Sequence, residues 1–320
     1  MLIQIGILIV GLALVVFGAD WLVDGASSVA RRSGISEFVI GLTIVGFGTS
    51  CPELVVSLTG AIAGNSDISI GNVIGSNIFN TLLILGLTAV ILPVSVTRAN
   101  KLRDIPITFA VTVLLICAGL SYTLFGLGSS DGLSRVEGIV FLIVFALYIY
   151  SCFKFDEKSA QEEEKPAKEI KTGMAIALIL AGIAGLIFGG RLFVRSATEI
   201  ARMIGVSDKF IAITVLAGGT SLPELATCIV AAAKKRGQLA LGNILGSNVF
   251  NILLILGCSA VVRPISFADI DFVDVGVMLL SVALVWIAAA VTRPSRIRRF
   301  DGAVLLLTFA AYYVWLFLNI

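Results

Sequence analysis

The sequence predicts an all-helical integral membrane protein whose ten transmembrane helices form two inverted repeats of five helices each. The first observation is composition: hydrophobic residues make up 58% of the 320-residue chain, charged residues only 14%, and the mean hydropathy is +1.04. Lipid-facing helices need such a composition, whereas the surface of a soluble domain needs more charge. The second observation is an internal repeat at a constant offset of 171 residues.

Apolar runs of about 20 residues recur along the whole chain, and each is long enough to cross ~30 Å of hydrocarbon. The first run lacks a basic n-region and is too long for a signal peptide, so we expect it to remain as a span. The polar linker 153–171 separates a first repeat at 1–152 from a second repeat at 172–320. We predict spans 1 to 10 at 2–30, 37–63, 69–92, 104–125, 132–152, 172–200, 208–233, 239–262, 271–292 and 301–319.

Lysine and arginine residues sort to one side of the membrane when consecutive loops are placed on alternate sides. The richer side collects the basic residues of 31–32, 98–103, 154–171, 234–236 and 293–299. The positive-inside rule makes that side cytoplasmic. We therefore expect a protein of the cell (inner) membrane with a cytoplasmic linker and both termini outside.

The repeat is visible in three pairs of aligned segments. They are FGADWLVDGASSVARRSGIS (17–36) with FGGRLFVRSATEIARMIGVS (188–207), GTSCPEL (48–54) with GTSLPEL (219–225), and GNVIGSNIFNTLLILG (71–86) with GNILGSNVFNILLILG (242–257). The identities concentrate on Gly, Pro, Glu, Ser and Asn, which shared apolar composition does not explain. Since each half has an odd number of spans, the second half enters the bilayer upside down. Inverted repeats place a central site that opens alternately to each side.

A carboxylate lies near the middle of span 2 and another near the middle of span 7. These are Glu53 and Glu224, and burying each costs roughly 2.5–3.5 kcal/mol on insertion scales. Two acids at equivalent depth in inverted repeats can meet at the midplane, where their repulsion favours protonation or a bound cation. Carboxylate oxygens are hard ligands suited to calcium or sodium.

Prolines next to the glutamates predict a break in each of these two spans. Pro52 and Pro223 have no N–H to donate to the preceding turn, and glycines precede both. A broken helix is tolerated in a membrane where it lines a cavity. We expect the freed carbonyls and four hydroxyls to become ligands, the hydroxyls being those of Thr49, Ser50, Thr220 and Ser221.

Spans 3 and 8 carry the second motif, in which polar residues recur every four positions on one helix face. The two sets are Asn72, Ser76 and Asn80, and Asn243, Ser247 and Asn251. Glycines beside them permit close helix approach. The predicted site is a cluster of spans 2, 3, 7 and 8. For Asn72, Asn77, Asn243 and Asn248 we expect hydrogen bonds between helices rather than ion ligation.

The paired GTSxPE and GNxxGSNxxN motifs resemble the α-repeats of the calcium/cation antiporter superfamily, specifically the prokaryotic members of its sodium/calcium exchanger branch. The resemblance covers nearly the whole chain. It implies a calcium ion ligated by Glu53 and Glu224, with further oxygens at Thr49 and Thr220. It also implies sodium ligands at Gly46, Ser50, Ser76, Ala217, Ser221 and Ser247, with backbone carbonyls serving at Gly46 and Ala217.

The family's polar residue at the centre of the crossing maps to Asn80 and Asn251. Some members, including potassium-dependent ones, have aspartate where Asn251 stands in this chain. With only two acids left in the core, the sequence argues against coupling to potassium.

The resemblance implies an antiporter that exchanges Ca²⁺ against Na⁺ by alternating access, with spans 1 and 6 sliding across the core. We expect no enzyme activity, no cofactor and no nucleic acid partner, and a monomer in the lipid bilayer. The alternative is a Ca²⁺/H⁺ antiporter of the same fold, although that branch carries GNxxE-type motifs and this chain has no histidine. A passive cation channel is a further alternative, against which the repeat of broken helices argues.

Two pairs of charged residues differ between the repeats. Asp20 and Asp24 share a face of span 1, and their counterparts in span 6 are Arg191 and Arg195. Inversion places the aspartates near the inner boundary and the arginines near the outer one. We therefore expect no direct pairing between them, and interfacial anchoring as their role.

Overall fold

The computed structural model describes residues 1–128, 130–156, 170–204, 218–268, 270–291 and 295–319. Within these residues, spans 1, 3, 4, 5, 6, 8, 9 and 10 are helices long and apolar enough to cross a membrane. Their bounds are Leu2–Ser33, Ser66–Ile91, Asn100–Gly119, Arg135–Lys154, Thr172–Met203, Gly237–Val262, Phe272–Val291 and Arg299–Leu318. Span 2 is a bent pair of helices, Glu37–Thr49 and Cys51–Ala63, and the described helix of span 7 is Leu222–Ala233.

Spans 1 and 6 pack against each other in antiparallel directions with their backbones in close approach. A Cβ atom added to Gly18 would lie 2.9 Å from the carbonyl oxygen of Gly182, and one added to Gly11 would lie 2.9 Å from that of Gly189. A Cβ atom added to Gly25 would likewise lie 2.7 Å from the carbonyl oxygen of Ala175. Small residues let membrane helices approach this closely. The two spans therefore form one unit along most of their length.

Spans 3 and 8 lie at the centre of the molecule. Every residue from Gly237 to Val249 is buried. Spans 5 and 10 expose large apolar side chains instead, among them Leu147, Phe300 and Leu307. Exposed apolar side chains of this size are what lipid-facing helices present. The polar motifs of spans 3 and 8 are thus shielded from lipid.

π-helical turns interrupt four of the spans, at Gly41–Val45, Phe79–Ile84, Asn100–Asp104 and Phe250–Ile255. The turns Phe79–Ile84 and Phe250–Ile255 are related by the repeat offset, and they carry Asn80 and Asn251. π-turns inside α-helices are rare and occur frequently at functional sites.

Two short antiparallel β-pairs join the repeats. Strands β1 (Val94–Ser95) and β4 (Arg296–Ile297) pair with each other, as do β2 (Gly132–Leu133) and β3 (Ile265–Ser266). The first pair joins the loops after span 3 and before span 10, and the second joins the loops before span 5 and after span 8. The alternating assignment of loops places each of these pairs on one side of the membrane, which fits the observed pairing.

The boundaries of spans 4 and 5 differ from those predicted. Span 4 begins at Asn100 rather than at 104, because Thr97 and Asn100 cap each other, each side-chain oxygen accepting from the other's backbone N–H at 3.0–3.1 Å. After span 4 a short helix, Ser121–Phe125, follows. Span 5 runs from Arg135 to Lys154, so it begins three residues later and ends two residues later than predicted. Residues 157–169 of the linker lie outside the described residues.

Both described ends of the linker contact the end of span 1 or the loop that follows it. The carboxylate of Asp156 accepts a hydrogen bond from the backbone N–H of Ser36 at 2.8 Å, and the carbonyl of Ile170 accepts one from the Ser28 hydroxyl at 3.4 Å. These contacts place the linker and the loop after span 1 on the same side of the membrane, as the sequence predicts.

Candidate ion-binding site

The break predicted in span 2 occurs at the serine of its motif, and the described helix of span 7 begins at the equivalent place. In span 2 the two helices meet at an angle of 50°, and Ser50 between them has φ −84° and ψ 5°. In span 7 the described helix begins after Ser221, which has nearly the same backbone angles, φ −86° and ψ 7°. The proline of each motif lies in the first turn, where the missing N–H costs no hydrogen bond.

The breaks place each glutamate in the first turn of a new helix. Glu53 and Glu224 are 1% and 0% exposed. Backbone N–H groups at a helix N-terminus carry partial positive charge, which favours a carboxylate at this position. The local sequence therefore supports two buried acids without basic side chains beside them.

Each carboxylate is hydrogen-bonded to the serine of the opposite repeat. The Ser50 hydroxyl donates to Oε1 of Glu224 at 2.8 Å, and the Ser221 hydroxyl donates to Oε1 of Glu53 at 3.2 Å. The two bonds are equivalent under the repeat offset. They bring the half-helices of both repeats to a common centre.

The motif threonines are held in the same crosswise manner by asparagines of spans 3 and 8. Thr49 Oγ1 donates to Oδ1 of Asn243 at 3.1 Å, and Thr220 Oγ1 donates to Oδ1 of Asn72 at 3.5 Å. Asn72 also donates to the backbone carbonyl of Glu53 at 3.2 Å. These asparagines make the hydrogen bonds between helices that we predicted, and their partners are the candidate ligands themselves.

Several buried polar atoms at this centre lack a hydrogen-bond partner among the described residues. They are Oε2 of Glu53, Oε2 of Glu224, Oγ of Ser76, Oδ1 of Asn80, and both side-chain polar atoms of Asn251. Most buried polar atoms in proteins are paired. Carboxylate, hydroxyl and amide oxygens are the ligand types that suit a hard cation.

The two halves of the centre are not identical. Ser247 Oγ lies 2.9 Å from the Ser50 Oγ and 3.5 Å from Oε1 of Glu224, whereas the hydroxyl of its counterpart Ser76 has no hydrogen-bond partner among the described residues. In this conformation the half that contains Ser247 is therefore more tightly bonded.

The central asparagines also differ. Asn80 donates to Oδ1 of Asn248 at 3.3 Å, and Asn248 in turn donates to the Thr81 hydroxyl at 2.7 Å. The residue of the second repeat that corresponds to Thr81 is Ile252, which offers no acceptor, and the Asn251 amide has no hydrogen-bond partner among the described residues. The difference between Thr81 and Ile252 thus accompanies the different bonding of the two central asparagines.

Of the two predicted carbonyl ligands, Gly46 and Ala217, only Gly46 belongs to the described residues. The carbonyl of Gly46 accepts from the backbone N–H of Ser50 at 3.0 Å and from the Thr49 hydroxyl at 3.4 Å, and Ala217 lies outside the described residues. Within the described residues, no group of three or more His, Cys, Asp and Glu side chains is placed to hold a metal ion. A cation at this centre therefore needs hydroxyl, amide or carbonyl oxygens in addition to the two acids.

A cavity of about 570 Å³ leads from this centre along span 6. Its inner end is lined by Pro52, Asn72 and Thr220, and it follows span 6 from Leu186 to Arg202. At 1.5 Å per residue this stretch is ~24 Å long. Arg202 is the next-to-last residue of span 6, so the cavity reaches the end of the helix. The sequence gives no signal for this cavity.

On the opposite side, span 1 is tied to the end of span 7 by ion pairs. The Lys234 Nζ atom lies 2.8 Å from Oδ1 of Asp20 and 2.7 Å from Oδ1 of Asp24. We predicted interfacial anchoring for these aspartates and did not predict this lysine as their partner. The structure thus adds a bond between helices to the side facing away from the cavity.

Comparison with known proteins gives matches along the whole chain. The family model described as sodium/calcium exchanger protein matches residues 3–154 and 174–318. The sodium/calcium exchanger MaX1 of Methanosarcina acetivorans is 32% identical over 97% of both chains. The inner membrane protein YrbG of Escherichia coli (strain K12) is 37% identical over 88% of this chain and 86% of that protein.

The fold matches that of a solved transporter. The structure of the sodium-calcium exchanger NCX_Mj superposes with a TM-score of 0.84 at 31% sequence identity, covering 98% of this chain and 99% of that chain. This match confirms the predicted fold class of ten transmembrane helices in two inverted repeats.

Proposed function

Because the chain belongs to the sodium/calcium exchanger family, we propose that it exchanges Ca²⁺ against Na⁺ by alternating access, with both glutamates ligating the carried ion. As a member of this family it is a multi-pass membrane antiporter for cations, Ca²⁺ among them, and not an enzyme. The coupling to Na⁺ and the identity of the ligands are the proposal.

One observation carries the assignment of the site. Glu53 and Glu224 are buried at equivalent positions of the two repeats, each bonded through Oε1 to the opposite repeat's serine and each with Oε2 unpaired among the described residues. Two carboxylates balance the charge of one Ca²⁺ ion. Calcium takes six to eight oxygen ligands, and we propose that Thr49 and Thr220 contribute two of them.

The same centre supplies oxygens for sodium. We propose Gly46, Ser50, Ser76, Ala217, Ser221 and Ser247 as sodium ligands, with Asn80 and Asn251 completing the centre. Since Na⁺ and Ca²⁺ then share the two acids, the sites cannot fill together without excess positive charge in a buried region. Mutual exclusion of this kind is what an exchanger requires.

Alternating access follows from the inverted repeats. We propose that residues 1–152 and 172–320 are the repeats, and that spans 1 and 6 slide as one unit past the other spans to close one access route and open the other. In the proposed orientation the linker 153–171 is cytoplasmic, both termini lie outside the cell (inner) membrane, and the observed cavity opens outward. We propose that the transporter acts as a monomer.

The experiment is calcium uptake by purified protein in liposomes. We expect uptake when an opposing sodium gradient is imposed and expect Glu53→Gln or Glu224→Gln to abolish it, because either change removes a charged ligand. Glu137→Gln is the matched control, since Glu137 caps span 5 outside the site and glutamine also serves in a capping box. Undiminished uptake by either site variant would refute the assignment.

The same preparation separates the alternatives. Calcium uptake driven by a pH gradient, and indifferent to sodium, assigns a Ca²⁺/H⁺ antiporter of the same fold. Calcium flux that needs no counter-ion assigns a passive channel.

A further inference from the structure

The two sliding spans carry charges of opposite sign at equivalent positions. Asp20 and Asp24 in span 1 correspond to Arg191 and Arg195 in span 6 under the repeat offset. Residues four apart share one face of a helix, so each pair presents two like charges in one direction. Elsewhere in the aligned segment, small residues such as Gly18 and Ala26 recur as Gly189 and Ala197, whereas at these two positions the charge is inverted.

The arginine pair lines the access cavity. Both Arg191 and Arg195 are exposed, and both border the space that leads to Thr220 at the centre. The other charged residues that line the cavity are Glu199 and Arg202, which form an ion pair at 3.5 Å. Among the described lining residues, two positive charges are therefore left without an acid to balance them.

We propose that Arg191 and Arg195 determine the selectivity of this access route by repelling Ca²⁺ more strongly than Na⁺. Coulomb repulsion is proportional to the charge of the ion, so the factor that reduces local Ca²⁺ concentration is the square of the factor for Na⁺. A narrow route between low-dielectric walls strengthens such a field. On this face the arginines favour the entry of sodium and oppose the rebinding of released calcium. This inference rests on the proposed function.

The opposite route carries the opposite charge. Inversion of the repeat places Asp20 and Asp24 along the route to the other side, where they attract Ca²⁺. In this structure Lys234 binds both aspartates and ties span 1 to span 7. When span 1 moves away from Lys234, the aspartates become available to incoming cations. The two faces then differ in the rate of calcium binding, while the ion gradients alone set the equilibrium.

The test is the double substitution Arg191→Gln with Arg195→Gln in sodium-loaded, right-side-out membrane vesicles. The apparent KM for external calcium is measured while choline chloride varies the ionic strength. For charges about 10 Å from the ion, we expect the KM to fall about sevenfold at about 10 mM salt, about threefold at about 0.1 M, and almost not at all at about 1 M. For external sodium we expect the apparent KM to fall only about 1.7-fold at about 0.1 M salt.

Two controls separate electrostatics from a structural effect. The double variant Arg135→Gln with Arg263→Gln removes two positive charges from the same predicted side but outside the cavity lining, and its KM for calcium should match that of the unchanged protein. In inside-out vesicles the cavity variant should leave the KM for calcium unchanged, because the other face is reached by the other route.

Three results would overturn the inference. They are an unchanged KM for external calcium, a shift that ignores ionic strength, and equal shifts for calcium and sodium. If sodium-driven exchange is intact and abolished by Glu53→Gln, these results reject the role of the arginines and leave the proposed function standing. Absence of any sodium-driven exchange rejects both the proposed function and the role of the arginines.

Discussion

At the scale of single residues, the site depends on side chains that hold the candidate ligands rather than on the ligands alone. Asn243 accepts from the Thr49 hydroxyl at 3.1 Å and donates to the Cys228 thiol at 3.3 Å. Asn72 likewise accepts from the Thr220 hydroxyl at 3.5 Å, and its amide nitrogen donates to the Ser57 hydroxyl at 2.9 Å. Both asparagines fix the orientation of a threonine beside the two acids.

We predict that Asn243→Ala weakens calcium binding about tenfold, since residues that orient metal ligands typically contribute 10–100-fold to affinity. The substitution leaves the Thr49 hydroxyl free to rotate away from the centre. Isothermal titration of detergent-purified protein measures the Kd. Asn319→Ala is the control, because Asn319 is an exposed amide at the end of span 10. An unchanged Kd in folded Asn243→Ala protein would show that Thr49 needs no such support.

At the scale of elements, the contact between spans 1 and 6 is backbone against backbone. A Cβ atom on Gly182 would lie 2.7 Å from both the carbonyl oxygen of Gly18 and the backbone nitrogen of Leu22. Neither atom can move without shifting span 1. The contact therefore constrains residue size at this crossing, whereas Gly173 of the same helix has no atom within 4 Å of an added Cβ.

We predict that Gly182→Ala destabilises the protein by about 1–3 kcal/mol, the usual cost of overpacking a close contact. We also expect slower calcium uptake, because the variant separates the two spans that move together. Thermal unfolding in detergent and initial uptake rates measure the two effects. Gly173→Ala serves as the matched control on the same helix and should change neither. Equal behaviour of the two variants would contradict close packing of spans 1 and 6.

At the scale of the whole molecule, the repeat gives each access route a counterpart. Val194 lines the open cavity, and its counterpart under the repeat offset is Val23, which is 0% exposed. The β-pairs hold loops of both repeats together on each side, so the movement must leave these connections intact. The conformation with the other route open should exchange the environments of the two valines.

We predict that a membrane-impermeant maleimide added outside intact cells labels Val194→Cys and not Val23→Cys. Both variants are placed in a background without the five native cysteines, and labelling is read by mass spectrometry. In inside-out vesicles, conditions that open the other route should make Val23→Cys the reactive variant. Labelling of both cysteines from one side at the same rate would argue against alternating access through routes related by the repeat.

The sequence by itself determined the fold class, now confirmed, because span length, apolar composition and the repeat are written in the order of residues. It also located the break in span 2 and the start of the described helix of span 7, since a proline acts on its own turn. The acids Glu53 and Glu224 could be paired from the repeat offset alone, and the structure places them at one centre through their bonds to Ser221 and Ser50. Their role as ion ligands remains a prediction.

Only the tertiary structure decided which partner each polar group takes and which access route is open. The bond from Asn80 to Asn248, the ion pairs of Lys234, and the arginine-lined cavity depend on how helices distant in sequence face each other. Both repeats carry the same motifs, so the sequence alone does not determine which of the two access routes is open. A choice between them comes from the relative position of spans 1 and 6, which is a property of the packed molecule.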